Sequence, residues 1–316
     1  MSKKILVCGS VAFDTIALFE GHFKDHILAD NIQSLSVSFF VPTLRKEYGG
    51  CAGNISYNLR LLGADPLPVG SVGADAVDYL QHMRELGIDT QLVRVMPDMF
   101  TPQCFITTDL DNNQIASFHP GAMLHSAEND LSGVSAAWGI VAPDSKDGMF
   151  AHARRMHAQG IPFIFDLGQA MPLFEGPDLL EMLDLASILT ANDYEAAVIE
   201  QRTGRSIAQI AQGLTAAIVT RGADGASLFI ADTETTIPPV PVTEVVDPTG
   251  CGDAHRAGLL YGLVNDWSLV DACRLANVMG GLKIASRGPQ NHRPAHTEIS
   301  ALLRTAYGAQ APELAA

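Results

Sequence analysis

Residues 247–256 read Asp247-Pro248-Thr249-Gly250-Cys251-Gly252-Asp253-Ala254-His255-Arg256, and the rest of the chain is read outward from them. Gly250 and Gly252 flank one small residue, and Asp253 follows at once. The apolar run Ala257-Gly258-Leu259-Leu260-Tyr261-Gly262-Leu263-Val264 then continues as a buried helix. Glycine takes backbone angles closed to other residues, so the N–H groups from Gly250 to Asp253 can turn toward one point. A helix start adds unpaired N–H groups and the positive end of the helix dipole. Together they predict a seat for an anion, above all a phosphoryl group. A carboxylate beside a bound phosphate costs Coulomb energy. Taking a proton from an attacking hydroxyl is work that would justify Asp253 there. The same residues would also serve as an ordinary helix start with an acid in its first turn.

Around this stretch, short apolar runs alternate with helical patterns. Runs at 5–8, 67–70, 139–142, 162–166, 187–190 and 216–220 are continuous, as in parallel strands covered on both faces. Helical patterns lie at 52–62, 77–86, 149–159, 179–186, 194–201 and 270–285. The alternation predicts an α/β fold: a doubly wound, mostly parallel sheet with right-handed crossovers. Two stretches break the rhythm. Residues 16–44 are long and mixed, with a β-prone segment at 35–41, and residues 102–118 read as a hairpin of strands 104–108 and 114–118. Both are expected in a small β-sheet lid, formed by about 15–48 and 100–120, on one domain spanning 1–316. A lid suits phosphoryl transfer, because water in the site competes as acceptor. Residues 225–238 read as a further hairpin at the sheet edge, and 307–316 as a frayed tail.

Composition narrows the partners. With 47% hydrophobic and 17% charged residues, the chain has ample material for a core. A net charge of −15 argues against nucleic acid or an anionic membrane as partner. No apolar run approaches the roughly 20 residues that span a bilayer. Five scattered cysteines, Cys8, Cys51, Cys104, Cys251 and Cys273, fit a reduced, cytoplasmic protein and neither a disulfide frame nor a zinc site. Of two His-x3-His spacings, His292/His296 contains Pro294 and His22/His26 lacks a third ligand in register, so no transition-metal site is expected.

Other residues carry chemistry on their own terms. Tyr48-Gly49-Gly50-Cys51-Ala52-Gly53-Asn54 opens the first long helix. Its glycine pair allows close approach of a ligand, and Asn54 offers a donor and an acceptor to a polyol. Asp14, just after the first strand, is placed at the crevice where α/β sheets bind ligands and can accept bonds from two vicinal ribose hydroxyls. Asn192 can cap a helix with Glu195 at its third position. Thr220-Arg221-Gly222-Ala223-Asp224-Gly225 is a turn ending an apolar strand, and Arg221 is one of few cations in an acidic chain.

Residues 247–256 resemble the second signature of the ribokinase-like, or PfkB, carbohydrate kinase family, D-T-x-G-A-G-D, which carries an anion hole and a catalytic base. This chain departs from it at Pro248, Cys251 and His255, where the family has threonine, alanine and phenylalanine. Residues 49–63 resemble the first signature, whose glycine pair and asparagine hold the acceptor substrate. The resemblance implies ATP as phosphoryl donor, Asp253 as base, and Gly250, Cys251 and Gly252 as the anion hole. It assigns Asp14, Gly49, Gly50 and Asn54 to the acceptor. Asn192 and Glu195 match the family's N-x-x-E motif, which implies Mg²⁺ held by Glu195 through water. Thr220, Arg221, Gly222 and Gly225 match a turn near the ATP phosphates and ribose, and 277–290, with Asn277, would line the adenine. Asp247, Ser286 and Gly288 fall where some relatives bind a monovalent cation such as K⁺.

The acceptor is a small molecule offering a sugar ring. The long lid segment 19–45, the stretch 109–118 with Asn112, Asn113 and Gln114, and Asp166-Leu167-Gly168-Gln169 after a strand resemble the bacterial and archaeal adenosine and nucleoside kinase branch. Gln169 is placed to bond a purine edge, and Phe39, Phe40 or Phe118 to stack on it. The expectation is 5′-phosphorylation of a purine ribonucleoside, adenosine among them, by a monomer or homodimer. A ribose or fructose kinase of the same fold, and a non-catalytic nucleoside- or sugar-binding protein, remain open alternatives. A Rossmann oxidoreductase and a Walker-type kinase do not, because G-x-G-x-x-G after the first strand and G-x4-G-K-[ST] are both missing.

Overall fold

The computed structural model describes residues 3–27, 36–111, 113–242, 244–308 and 311–314. In chain order the first half forms β1 (Lys4–Cys8), β2 (Ala12–Leu18), β3 (Thr43–Gly49), α1 (Cys51–Leu61), β4 (Asp65–Gly73), α2 (Val77–Glu85), β5 (Val93–Met96), β6 (Gln103–Thr108), β7 (Gln114–His119), β8 (Trp138–Val141) and α3 (Lys146–Ala158). The second half adds β9 (Phe163–Asp166), α4 (Gly176–Leu185), β10 (Ile188–Asn192), α5 (Asp193–Thr203), α6 (Ile207–Ala211), β11 (Ala216–Thr220), β12 (Ala226–Ile230), β13 (Thr233–Ile237), α7 (Cys251–Val264), α8 (Leu269–Ile284) and α9 (His296–Tyr307).

Nine strands make one sheet in the order β13-β12-β11-β10-β9-β8-β1-β4-β5. From β11 to β5 every pairing is parallel; the edge hairpin β12–β13 is antiparallel, as the sequence predicts. Ile5, Leu6, Val7 and Cys8 of the central β1 have no exposed surface, because helices cover both faces. Pro66 and Pro68 are unusual inside a sheet. They sit in the half of β4 that pairs with β1 but lies short of β5, which begins opposite Gly70. Two apolar clusters, one on each face, complete the layers.

A separate four-stranded sheet runs in the order β3-β2-β6-β7. The expected hairpin 104–118 is its β6–β7 arm. The β-prone segment at 35–41 is not a strand over residues 36–41, while Leu35 falls outside the described residues, as does Asn112. The sheet takes β2 and β3 instead, paired antiparallel from Ala12↔Gly49 to Leu18↔Thr43. Asp14 therefore belongs to a strand of the small sheet and not to a loop after β1. The expected tail begins where α9 ends, at Tyr307, and is corrected at one residue: Ala311 beyond it is buried against the core. Among the described residues no helix is long and apolar enough to cross a membrane.

Candidate active site

Helix α7 is apolar all round and buried from Ala254 to Val264, as a central helix must be. It lies close against α8: a Cβ on Gly258 would come 2.6 Å from Ala276 Cα, and one on Gly262 would come 2.5 Å from Ala272 Cβ. That close packing fixes the position of the first turn. Gly250 caps α7 at φ 80°, where a side chain would be strained and its Cβ would meet Pro289 at 2.8 Å. Cys251 N–H donates to Pro248 O (3.1 Å) and Ala254 N–H to Gly250 O (3.0 Å). The N–H groups of Gly252 and Asp253, between them, have no acceptor among the described residues. Unpaired N–H groups at a helix N-terminus are a suitable seat for an anion.

Asp253 ends a line of hydrogen bonds that reaches back to the first glycine pair. Asn54 Nδ2 donates to Asp253 Oδ2 (2.8 Å), and Gln290 Nε2 donates to Asn54 Oδ1 (2.9 Å) and to the Tyr79 hydroxyl oxygen (2.7 Å). Tyr79 O–H in turn donates to Gly49 O (2.7 Å). Asn54 is thus oriented at both ends of its amide. Burial pushes the Asp253 carboxyl up to about 7; the Asn54 bond and the nearby Arg256 work against that rise, and Asp166 adds to it. Arg256 lies one turn along α7 and forms a bidentate pair with Asp166, at the end of β9, with distances of 3.1 and 3.0 Å. Both members are about 95% buried. Burial also raises the Glu195 carboxyl, with Asp166 adding to the rise.

Two cavities flank this turn. The larger, about 840 Å³, lies between the small sheet and the main sheet and is lined by Asp14, Gly50, Asn54, Gln169, Gly250 and Asp253. Phe118, Ile106, Met123 and Leu124 add apolar lining. The smaller, about 590 Å³, is lined by Thr220, Gly222, Gly225, Cys251, Gly252, Asn277 and His255. The structure therefore divides the expected acceptor and nucleotide residues between two spaces that share residues 250–253 as a wall.

Asp14 faces the larger cavity from β2. Its carboxyl is pushed up to about 6 by burial, by Glu47 directly opposite on β3 and by Asp247. Gly49 leaves room for it, since a Cβ there would lie 2.5 Å from Asp14 Oδ2. Gly50, at φ 80°, turns the chain from β3 into α1. Not every expected residue lines one of the two cavities. Arg221 does not line the smaller cavity: its Nε donates to Ser227 Oγ (2.9 Å) and its guanidinium lies 3.7 Å from Glu234. Asn192 and Glu195 border neither cavity and form a reciprocal cap on α5, at 2.7 and 2.8 Å. Phe39 packs with Phe19 and Phe23, and Phe40 is 85% exposed, so neither lines the acceptor cavity. His255 lines the smaller cavity, and burial holds its ring neutral, with the pKa down to about 3.

The oxygens expected to hold K⁺ are also spoken for. Asp247 Oδ1 accepts from Thr249 N–H and Oδ2 from Gly288 N–H, each at 2.9 Å. The main-chain carbonyls of Asp247 and Ser286 both accept from Lys283 Nζ, each at 2.9 Å. The site does not fit a free cation, because an ammonium already stands among its donors.

Sequence reasoning missed several residues. Arg256 was legible as a guanidinium inside an otherwise apolar helix, and Asp144 as an acid after an apolar strand at the ligand edge of the sheet. Asp144 lines the acceptor cavity, accepts from Ser126 Oγ (2.5 Å), and is pushed up to about 7 by burial. Nothing in the local sequence marks Gln290 or Tyr79, whose roles depend on contacts made across the fold.

A layered sheet with a small sheet over one end, and a glycine-rich helix start between two cavities, defines a phosphoryl-transfer enzyme of the ribokinase type. Residues 2–296 match the pfkB family of carbohydrate kinases, and the chain belongs to that family, where its likeness falls with the nucleoside kinases. It is an ATP-dependent kinase acting on an alcohol group. A solved nucleoside kinase from Burkholderia thailandensis in complex with inosine is 47% identical, with a TM-score of 0.88 over 96% of this chain and 98% of that one. The same protein in complex with ADP-inosine gives 47% and 0.85 over 98% of both. The nucleoside kinase of Methanocaldococcus jannaschii is 27% identical over 84% of this chain and 88% of its own.

Proposed function

We propose that this chain transfers the γ-phosphoryl group of ATP to the 5′-hydroxyl of a purine ribonucleoside. The observation that carries the reading is the dividing wall: Gly250 and Asp253 border the larger cavity and Cys251 and Gly252 the smaller, so an acceptor in one and a triphosphate in the other would meet at the unpaired N–H groups of Gly252 and Asp253. Asp253 takes the proton of the acceptor hydroxyl. That oxygen then forms a bond to the γ-phosphorus, the bond from phosphorus to the ADP oxygen breaks, and ADP leaves. Gly250, Cys251 and Gly252 present the helix start to the charge that develops. Glu195 borders neither cavity but has one oxygen committed to Asn192 N–H and one left, beside the Asp166–Arg256 pair, which suits a hydrated Mg²⁺ reached through water. Such an ion neutralises phosphate charge when bound. The sheet β3-β2-β6-β7, with about 15–48 and 100–120, acts as the lid of a single domain and excludes water from the acceptor.

Two facts favour a nucleoside over a free sugar. The larger cavity, about 840 Å³, is lined by Phe118, Ile106 and Met123 as well as by Asp14 and Asp253, so it offers apolar surface that a flat base would cover and a pentose would leave wet. The Burkholderia protein, similar over nearly its whole length, is described with inosine. An acceptor series with ATP and Mg²⁺ tests this. Inosine, adenosine and guanosine should each give a kcat/KM well above ribose and fructose, and 2′- and 3′-deoxy analogues should lose markedly. Ribose or fructose exceeding every nucleoside would overturn the acceptor assignment.

Asp14→Ala should raise the acceptor KM at least about tenfold, since each hydrogen bond to a charged group is worth roughly 1.5–3 kcal/mol. The ATP KM should stay nearly constant. Because the Asp14 carboxyl sits near 6, acceptor binding in the wild type should also weaken as pH falls through 6. A raised ATP KM with an unchanged acceptor KM would mean that the two cavities have been assigned the wrong way round.

A further inference from the structure

Lys283, on the last turn of α8, has no exposed surface. Its ammonium lies between two main-chain carbonyls that belong to different loops, Asp247 O and Ser286 O, each at 2.9 Å. The Asp247 carboxylate ties the same two loops together by accepting from Thr249 N–H and Gly288 N–H. The first of these loops runs straight into Gly250 and the unpaired N–H groups of α7. The Lys283 stem passes close behind it, with Cε 3.8 Å from where a Gly250 Cβ would stand. Main-chain carbonyls converging on one positive centre are the ligands an alkali cation takes in place of its hydration shell. Here the centre is a compact ammonium on a four-carbon tether. An ammonium left in this place without acceptors would be heavily penalised, so the two carbonyls and the ammonium hold each other in position.

We propose that Lys283 is a built-in monovalent cation: a positioning residue that fixes the 247–250 loop and lends it positive charge, so that the kinase works without added K⁺. The phosphoryl role of residues 250–253 is assumed from the preceding section; the acceptor's identity is not. The loop cannot lose this cation by dilution, whereas a free ion would come and go with its concentration.

The test compares K⁺, NH₄⁺, Na⁺ and choline chlorides at equal ionic strength, about 100 mM. Wild-type kcat/KM for ATP should vary by less than about twofold across the four. Lys283→Ala empties the space between the carbonyls. In choline it should lose at least about tenfold in kcat/KM for ATP, the scale of a displaced catalytic loop. K⁺ or NH₄⁺ should restore much of that loss and, without any substrate, should raise the melting temperature of Lys283→Ala above its value in choline. Lys283→Met, which fills the space without charge, should lose activity and respond to none of the ions. A lysine that merely packs would give no ion-specific rescue. Several-fold activation of the wild type by K⁺ would overturn the proposal, and that series needs no variant to fold. So would a folded Lys283→Ala that keeps normal activity or fails to distinguish K⁺ and NH₄⁺ from choline.

Discussion

Asp253→Asn is expected to lower kcat by at least about a hundredfold, the low end of what a positioned general base contributes. ATP binding should change little, because the unpaired N–H groups of Gly252 and Asp253, which would meet the phosphates, belong to the backbone. The pH profile carries the same argument. With the Asp253 carboxyl near 7, wild-type kcat/KM should be level at high pH and fall about tenfold per unit below 7, as the base takes up its proton. The residual activity of Asp253→Asn should lack that limb. Stability gives a sign check. A carboxyl whose pKa is raised by folding contributes stability that is present below its unfolded value, near 4, and is lost as pH rises through 7. The uncharged Asn escapes that loss, so the variant should melt above the wild type at pH 8 and close to it at pH 4. Near-normal turnover in a folded Asp253→Asn protein would remove Asp253 from the mechanism.

Arg256→Met should cost about 3–5 kcal/mol of unfolding free energy, because it leaves the Asp166 carboxylate buried without its partner. Urea denaturation measures this directly. Replacing both members, Arg256→Met with Asp166→Leu, should recover much of the loss, since a buried ion pair contributes little beyond an apolar pair of similar shape. Recovery of activity should not follow. Arg256 also lowers the Asp253 carboxyl, so its removal alone should move the acid limb of the kcat/KM profile to higher pH, while the double variant, which also loses the raising effect of Asp166, should show no such rise. An Arg256→Met protein as stable as the wild type, with an unshifted profile, would show that the pair is incidental.

The parts legible in the sequence are those set by local pattern. Continuous apolar runs gave the parallel strands, and the glycine spacing around Cys251 gave the start of α7 together with the position of Asp253. The small sheet was only half legible. Its β6–β7 arm is a local hairpin with a turn-rich tip, but β2 and β3 are paired across the long stretch between Leu18 and Thr43. Nothing local announces such a pairing, so Asp14 reads only as a residue just after β1, and the β-prone segment of 16–44 reads as 35–41. Asn54 reads as a substrate ligand because its amide suits a polyol, and the fold adds what no local pattern shows: one bond at each end of that amide, to Asp253 and from Gln290. Lys283 was invisible for a related reason. A lysine at the end of an apolar helix reads as a solvated cap, and only the return of residues 286–288 over the 247–250 loop buries it.

The central claim is that Asp253 activates the 5′-hydroxyl of a ribonucleoside toward ATP. It is tested most directly by ³¹P NMR of the product formed from inosine, ATP and Mg²⁺, run beside an identical sample of Asp253→Asn. The account predicts one phosphomonoester whose phosphorus couples to the two protons of the 5′ methylene, formed at least about a hundredfold more slowly by the variant. A phosphorus coupled to a single ribose proton, ATP consumed without transfer to inosine, or equal rates in the two samples would contradict it.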